Sequence, residues 1–302
     1  MKRFIIALFL ALCLVSAAGA DSQVQAPAVF HAPSGSKAPF IPVDTLAASP
    51  FQEEDDLLYV DFINVKVGDA ILIRSGGESM LVDGGARGKE AMLEMFFEQE
   101  GITGFTYYMN THYHDDHTGA ATALLQKGYI AREVLGRHPV ESKNQDLQNL
   151  VAAAARHDIP YRQVAARDSV QLGRAVITFI NDPREIKGNV NATSMMLHIQ
   201  FGARSILLPA DVTGGSLTHV AELYPEYMDV DIMKSPHHGI NRLRHEFLLT
   251  ASPELFVITS NMKGGQTLAT QLTRSKMPHY FISMGTVRCA TNGETWYVEQ
   301  LR

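Results

Sequence analysis

The sequence predicts an α/β domain of two half-units, and three observations carry that reading. Short apolar runs bounded by glycine, proline or asparagine alternate with alanine- and leucine-rich stretches of helical period, as strands joined by crossover helices would. Residues of metal-ligating type follow directly on several of these strands, where α/β proteins gather their chemistry. The segment 57–302, about 245 residues, is long enough for one sizeable core.

Residues 1–20 stand apart from that domain. Lys2 and Arg3 precede an apolar run from Phe4 to Val15, and Ala18-Gly19-Ala20 lies ahead of Asp21, the layout of a cleavable export signal. The run is shorter than the roughly 20 residues a spanning helix needs, so no stable membrane insertion is expected. The mature chain is therefore expected outside the cytoplasm, in a periplasm or the extracellular space. Loss of Lys2 and Arg3 takes the formal charge from −6 to −8, and loss of Cys13 leaves Cys289 alone, with no internal disulfide to form. An acidic balance does not favour nucleic acid as the main partner, although it leaves local patches open. Residues 21–56 hold Pro27, Pro33, Pro39, Pro42 and Pro50 and end in Glu53-Glu54-Asp55-Asp56, which reads as a linker.

The domain opens with strands at Leu57–Val65, Ala70–Ser75 and Met80–Val82, separated by Gly68-Asp69 and Gly76-Gly77. Asp83-Gly84-Gly85 then turns the chain sharply, with an aspartate able to hold a ligand loop in place. Phe105–Met109 reads as the next strand, and a helix is expected from Thr118 to Gly128. Between them stands Thr111-His112-Tyr113-His114-Asp115-Asp116-His117, with the pattern His-x-His-x-Asp-His. Histidines two apart on extended backbone point to one side, and a turn can bring the Asp-His pair back toward them. That arrangement suits two divalent metal ions side by side, with donors that zinc prefers. Asp115 can instead cap the helix.

Glu133–Leu135, a helix over Gln145–Arg156, and strands at Tyr161–Val164, Val170–Leu172 and Ala175–Ile180 complete the first half. His138 follows a strand end and is a weaker ligand candidate, whereas His157 reads as a helix-end residue. In the second half, Met195–Phe201 and Ser205–Leu208 are strands, and the latter runs into Pro209-Ala210-Asp211, an aspartate placed to bridge two cations before a helix near Gly214. His198, in mid-strand, reads as packed. Asp229–Met233 delivers Lys234-Ser235-Pro236-His237-His238-Gly239, where one of His237 and His238 is expected to be a ligand and the other to touch substrate or orient the first. Glu254–Thr259, a helix at Gln266–Arg274, Tyr280–Ile282 and Trp296–Val298 close the chain, with Asn261, His279, Thr286 and Arg288 as weaker candidates for substrate contact.

Taken together, Val67-Gly68-Asp69-Ala70, Leu81-Val82-Asp83-Gly84-Gly85, the Thr111–His117 cluster, Asn191 with Ser194, Leu208-Pro209-Ala210-Asp211 and Pro236-His237-His238-Gly239 resemble the metallo-β-lactamase superfamily. More narrowly, they resemble the branch that holds the extracytoplasmic domain of ComEC and the phosphorylcholine esterases. The resemblance implies an α+β fold, a four-layer αββα sandwich, with a dinuclear, usually zinc, centre between two sheets. It implies that His112 and His114 bind one metal, Asp116 and His117 the other, that Asp211 bridges, and that His237 or His238 completes the second site. Ala120 stands where the family has a second glycine. The additional histidine of many members has no clear counterpart here, unless His138 takes its place.

Two close cations acidify a shared water and polarise the oxygen under attack, so the expected activity is hydrolysis; the resemblance implies a phosphodiester as the substrate, in a small phospho-ester or in nucleic acid. Asp116, His237 and His238 are the expected catalytic residues. A hydrolase of lactones, carbon esters or β-lactams and a secreted binding module are the alternatives on the same scaffold.

Overall fold

The computed structural model describes residues 40–42, 56–184 and 189–301. The expected export signal and most of the linker lie outside them, although Phe40–Pro42 (β1) forms an edge strand within the linker. The architecture is two mixed sheets with helices on both outer faces, the α+β sandwich expected.

The first sheet has nine strands in the order β1-β16-β15-β2-β3-β4-β5-β6-β7. β2 (Leu58–Phe62), β3 (Ile71–Ser75) and β4 (Glu78–Val82) form antiparallel hairpins, after which β5 (Gly104–Asn110), β6 (Ile130–Gly136) and β7 (Tyr161–Gln163) run parallel. The crossovers are α1 (Glu90–Gln99), α2 (Asp115–Gln126) and α3 (Gln145–Ala155). The second sheet, β14-β13-β12-β11-β10-β9-β8, repeats the scheme. Its antiparallel part is β8 (Ser169–Leu172), β9 (Ala175–Ile180), β10 (Met196–Phe201) and β11 (Arg204–Leu208). Its parallel part adds β12 (Ile232–Lys234), β13 (Leu255–Ile258) and β14 (His279–Phe281), joined by α4 (Gly214–Leu223), α5 (His245–Ala251) and α6 (Gln266–Arg274).

The sequence reading does not include α1 or α5 and starts α2 at Thr118, three residues late, and the sheets differ from it as well. β8 and β9 belong to the second sheet, because β9 pairs with β10, so the halves divide after β7 rather than after Ile180. The C-terminal β15 (Thr286–Thr291) and β16 (Trp296–Leu301) return to the first sheet beside β2, and β15 was not anticipated because its Thr-Val-Arg-Cys-Ala-Thr run is mildly polar.

Alternation along the strands builds the layers. Ile206 and Leu208 face the core between the sheets while Leu207 faces α4, and Leu255 and Val257 face inward while Phe256 and Ile258 meet α6. This is the period of two expected of a strand buried on both faces. Buried Asp231 ties the sheets together: it accepts from Ser205 N at 2.8 Å and from Trp296 Nε1 at 3.0 Å, with Arg204 at 3.4 Å. Asp231→Ala leaves the buried Ser205 N–H and the Trp296 indole N–H without their acceptor, and is expected to cost about 3 kcal/mol of stability in denaturant melts. A loss under 1 kcal/mol would show that the tie is incidental.

Candidate metal centre

Five strand ends converge on one cleft. Asp83 follows β4, His112 follows β5, Asp211 follows β11, His237 and His238 follow β12, and Thr259 follows β13. Two close approaches fix the loops. Gly84 abuts α2 so tightly that a Cβ would lie 2.5 Å from Cβ of Ala121, and Gly68, at φ +111°, would place one 2.7 Å from the Asp116 carbonyl oxygen.

Asp83 plays the supporting role expected of it. Thr111 donates to it from its backbone N at 2.9 Å and its hydroxyl at 2.6 Å, and its Oδ2 lies 2.7 Å from His117 Nδ1. That contact leaves His117 Nε2 aimed into the cleft, 3.3 Å from Asp211 Oδ2. His238 is held the same way: its Nδ1 lies 3.2 Å from Asp69 Oδ1 and 3.2 Å from Thr259 Oγ1, while its Nε2 faces Asp116 Oδ2 at 3.2 Å and Asp211 Oδ1 at 3.4 Å. On the other side, His112 Nε2 stands 3.2 Å from His114 Nδ1 and 3.8 Å from Asp211 Oδ2. His237 Nε2 is 3.7 Å from that same oxygen and 3.3 Å from Asn191 Nδ2.

All seven expected site residues, His112, His114, Asp116, His117, Asp211, His237 and His238, therefore meet in one cleft. The buried atoms His117 Nε2, His238 Nε2 and Asp211 Oδ1 satisfy no hydrogen bond. Donor atoms of Asp69, His117, Asp211 and His238 lie within 4.8 Å of one another. Orphaned imidazole and carboxylate donors at that spacing fit divalent cations, and the two groups of donors around Asp211 are compatible with a pair of them. Asp69 pairs with Lys234 through Oδ2, while its Oδ1 satisfies no hydrogen bond and lies 3.2 Å from His238 Nδ1, so it stands among these donors and also orients His238.

The sequence leaves the roles of two site members unread. Asp69 stands there only within the Val67–Ala70 motif, and Lys234 as a group beside the histidine pair able to help stabilise a departing group. Lys234 is instead fully buried, paired with Asp69, 3.7 Å from Asp211 Oδ1, and donating to the Ala210 carbonyl at 2.8 Å. A lysine inside an otherwise apolar strand just before a histidine pair is the signal that could have revealed it. His138 stacks on Tyr113 with ring centroids 4.5 Å apart, and His198 packs on Tyr227 at 5.2 Å. Arg288 and His279 are occupied elsewhere, Arg288 with Asp61 at 2.6 Å and His279 with the Met277 carbonyl at 3.0 Å. Asp115 starts α2 and bonds Arg87 N at 3.3 Å.

The electrostatics follow from the packing. Burial works to raise the carboxyls of Asp69 and Asp211, but Lys234 and His238 around the first and His117 and His238 around the second hold both below the usual carboxylate range. Burial would lower His238, yet Asp211 and Asp69 push it up to about 10. His117 is likewise raised, against burial, by Asp211 and Asp83. Burial and the neighbouring His117 lower His112, and burial lowers His237.

A sequence profile described as the Metallo-beta-lactamase superfamily matches residues 63–254. The chain belongs to that superfamily. Among solved metallo-β-lactamase-type folds, YhfI from Bacillus subtilis superposes with a TM-score of 0.51 at 13% identity, covering 75% of this chain and 96% of its own. Yeast PDE1 gives 0.50 at 10% identity, covering 75% and 97%. CmlA, a diiron β-hydroxylase from Streptomyces venezuelae, gives 0.50 at 14% identity, covering 80% of this chain and 54% of its own, so the chain spans about half of that protein. At these identities the likeness is one of fold. No curated protein matches the sequence. Superfamily fold and buried donor cluster together support a metal-dependent hydrolase.

Two predictions follow the geometry. Below pH 10 the metal-free His238 holds a proton that a cation must expel, so metal affinity should rise with pH, about tenfold per unit for each proton released. Calorimetry in buffers of different ionisation enthalpy reads that proton count, and a count of zero would contradict it. Lys234→Met leaves a buried carboxylate without its cation and should destabilise the metal-free protein by roughly 3–5 kcal/mol. Adding Asp69→Asn should restore part of that loss, and strict additivity in the double variant would show the two residues to be uncoupled.

Proposed function

We propose that the protein is an exported metal-dependent phosphodiesterase, in the superfamily branch of the ComEC-type domains and phosphorylcholine esterases. The observation that carries this reading is the placement of Asp211, whose two oxygens reach both groups of histidines: Oδ2 toward His112, His117 and His237, Oδ1 toward His238. In this reading His112, His114 and Asp211 hold one divalent cation, and Asp116, His117, His238 and Asp211 hold the second. The donor set suits zinc, manganese and iron alike, and zinc is the metal expected of the family. Bound there, such ions supply Lewis acidity and an acidified water.

The chain's own groups provide the rest. Asp83 and Asp69 fix the imidazoles of His117 and His238 so that one nitrogen of each points at the donors' common centre. Asp116, half-exposed, is positioned to orient the attacking water as well as to ligate. His237 is half-exposed and its Nε2 accepts from the Asn191 amide at 3.3 Å, so this pair faces an entering substrate and the second amide proton of Asn191 can donate to a non-bridging oxygen. The histidine motif thus divides its duties: His238 on the metal side, His237 on the substrate side. A phosphodiester suits this arrangement because its transition state spreads charge over several oxygens, each needing a donor or cation.

Elemental analysis of the wild type beside Asp211→Ala, with hydrolysis of bis(4-nitrophenyl) phosphate read on the same samples, tests the reading. Two equivalents of metal should fall to one or none, with activity down roughly 100-fold or more. Metal-replete wild type that turns over lactones or a chromogenic lactam but no phosphodiester would replace this reading with that of a carbon-ester or lactam hydrolase. Metal bound with no turnover at all would favour a binding module.

A further inference from the structure

Three loops frame the mouth of the cleft, 63–68, 237–245 and 259–266, and none of them contains an aspartate or glutamate. They are joined to one another. Gly68 N donates to the Thr259 carbonyl at 3.3 Å, a Cβ on Gly239 would lie 3.4 Å from Cα of Gly265, and both backbone groups of Leu243 bond the Gln271 side chain on α6 at 2.9 and 2.8 Å. From this continuous rim Lys66, Arg242, Arg244 and Lys263 project into solvent. Among the described residues none of these four has an ion-pair partner. Each of the last two loops places an exposed apolar side chain just ahead of its cations, Ile240 at 43% and Met262 at 62% exposure. A chain of net charge −6 has thus gathered unpaired positive charge and bare apolar tips around its cleft.

Four cations are more than one scissile phosphodiester needs, so the rim meets an extended anion. Single-stranded nucleic acid is ordinarily gripped by aromatic side chains on which bases stack, and these loops contain no phenylalanine, tyrosine or tryptophan. Cations beside exposed aliphatic tips match another surface, the boundary between phosphates and acyl chains in a bilayer. We propose that this rim is a docking face for an anionic lipid surface, which presents the phosphodiester of a lipid headgroup to the metal cleft. Ile240 and Met262 enter the headgroup layer, and Lys66, Arg242, Arg244 and Lys263 pair with lipid phosphates around them. Presentation of a headgroup rests on the phosphodiesterase reading, whereas docking itself does not.

The test is flotation of the protein with phosphatidylcholine vesicles, with and without phosphatidylglycerol, in the presence and absence of added salt. Binding is expected on the anionic vesicles and should weaken as salt rises. Arg242→Ser with Lys263→Ser should lower the partition coefficient about 25-fold, near fivefold for each cation removed. Ile240→Asp with Met262→Asp should abolish binding while the melting temperature and metal content stay at wild-type values. Absence of wild-type binding, equal binding to neutral vesicles, or binding unchanged in both double variants would overturn the proposal. So would retention of single-stranded DNA by the same cations in a protein that ignores vesicles. Every one of these readouts is independent of turnover, so a failure of docking and a failure of the phosphodiesterase reading can be told apart.

Discussion

The structure depends on satisfying three buried carboxylates where water does not reach. Asp69, Asp83 and Asp211 are each almost wholly enclosed, and an unpaired ion in such a place would cost several kcal/mol. Each is neutralised differently. Asp83 takes two donors from Thr111 and one imidazole, Asp69 has the Lys234 ammonium, and Asp211 lies amid the histidines. Asp83 belongs to the first sheet and Asp211 to the second, so these pairings also close the sandwich at its reactive end. Lys234 pairs with Asp69 and donates to the Ala210 carbonyl, which ties the turn before β3 to the loop after β11.

Backbone strain marks the same place. Asp83, Ala210, His237 and His238 all adopt left-handed conformations, with φ between 46 and 54°, although none is glycine. Such residues cost on the order of 1–3 kcal/mol each and persist where the surroundings fix them. Here the surroundings are specific bonds: Asp83 N to the Met109 carbonyl at 2.8 Å, and His237 N to the Ala210 carbonyl at 3.0 Å. The strained positions are the turns that swing side chains from strand ends into a shared centre.

Much of this was legible in the sequence, and the reasons are local. The His-x-His-x-Asp-His run and the aspartate after Leu208 declare themselves because polar donors directly after an apolar strand have no packing explanation. α6 is found with its bounds intact because its apolar positions recur at helical spacing. What could not be read depends on contacts across the fold. Asp69 and Lys234 lie 165 positions apart in sequence, and nothing local to either announces the pair. Arg288 looked available for substrate because β15 was not recognised as a strand, whereas its partners Asp61 and Glu100 come from β2 and the end of α1. The division of the sheets after β7 was equally hidden, since a hairpin such as β8–β9 can join either neighbour until its pairing partner is known.

The histidine pair shows why strain and chemistry belong together here. Adjacent residues on a regular strand would point to opposite faces, and on a helix about 100° apart, so neither arrangement brings both imidazoles to one carboxylate. Two consecutive left-handed residues do. The rings end 5.9 Å apart and 61° inclined, one on each oxygen of Asp211. His238 turns inward to a side-chain exposure of 5%, where Asp69 and Thr259 fix it, and His237 is left at 26%, open to solvent beside Asn191. Gly239 follows in the same left-handed region and returns the chain to the rim loop. Glycine at either histidine position would relieve the strain and take an imidazole away from Asp211, so the strain is set against that contact and is held by the Ala210 carbonyl and the buried Lys234 beneath it.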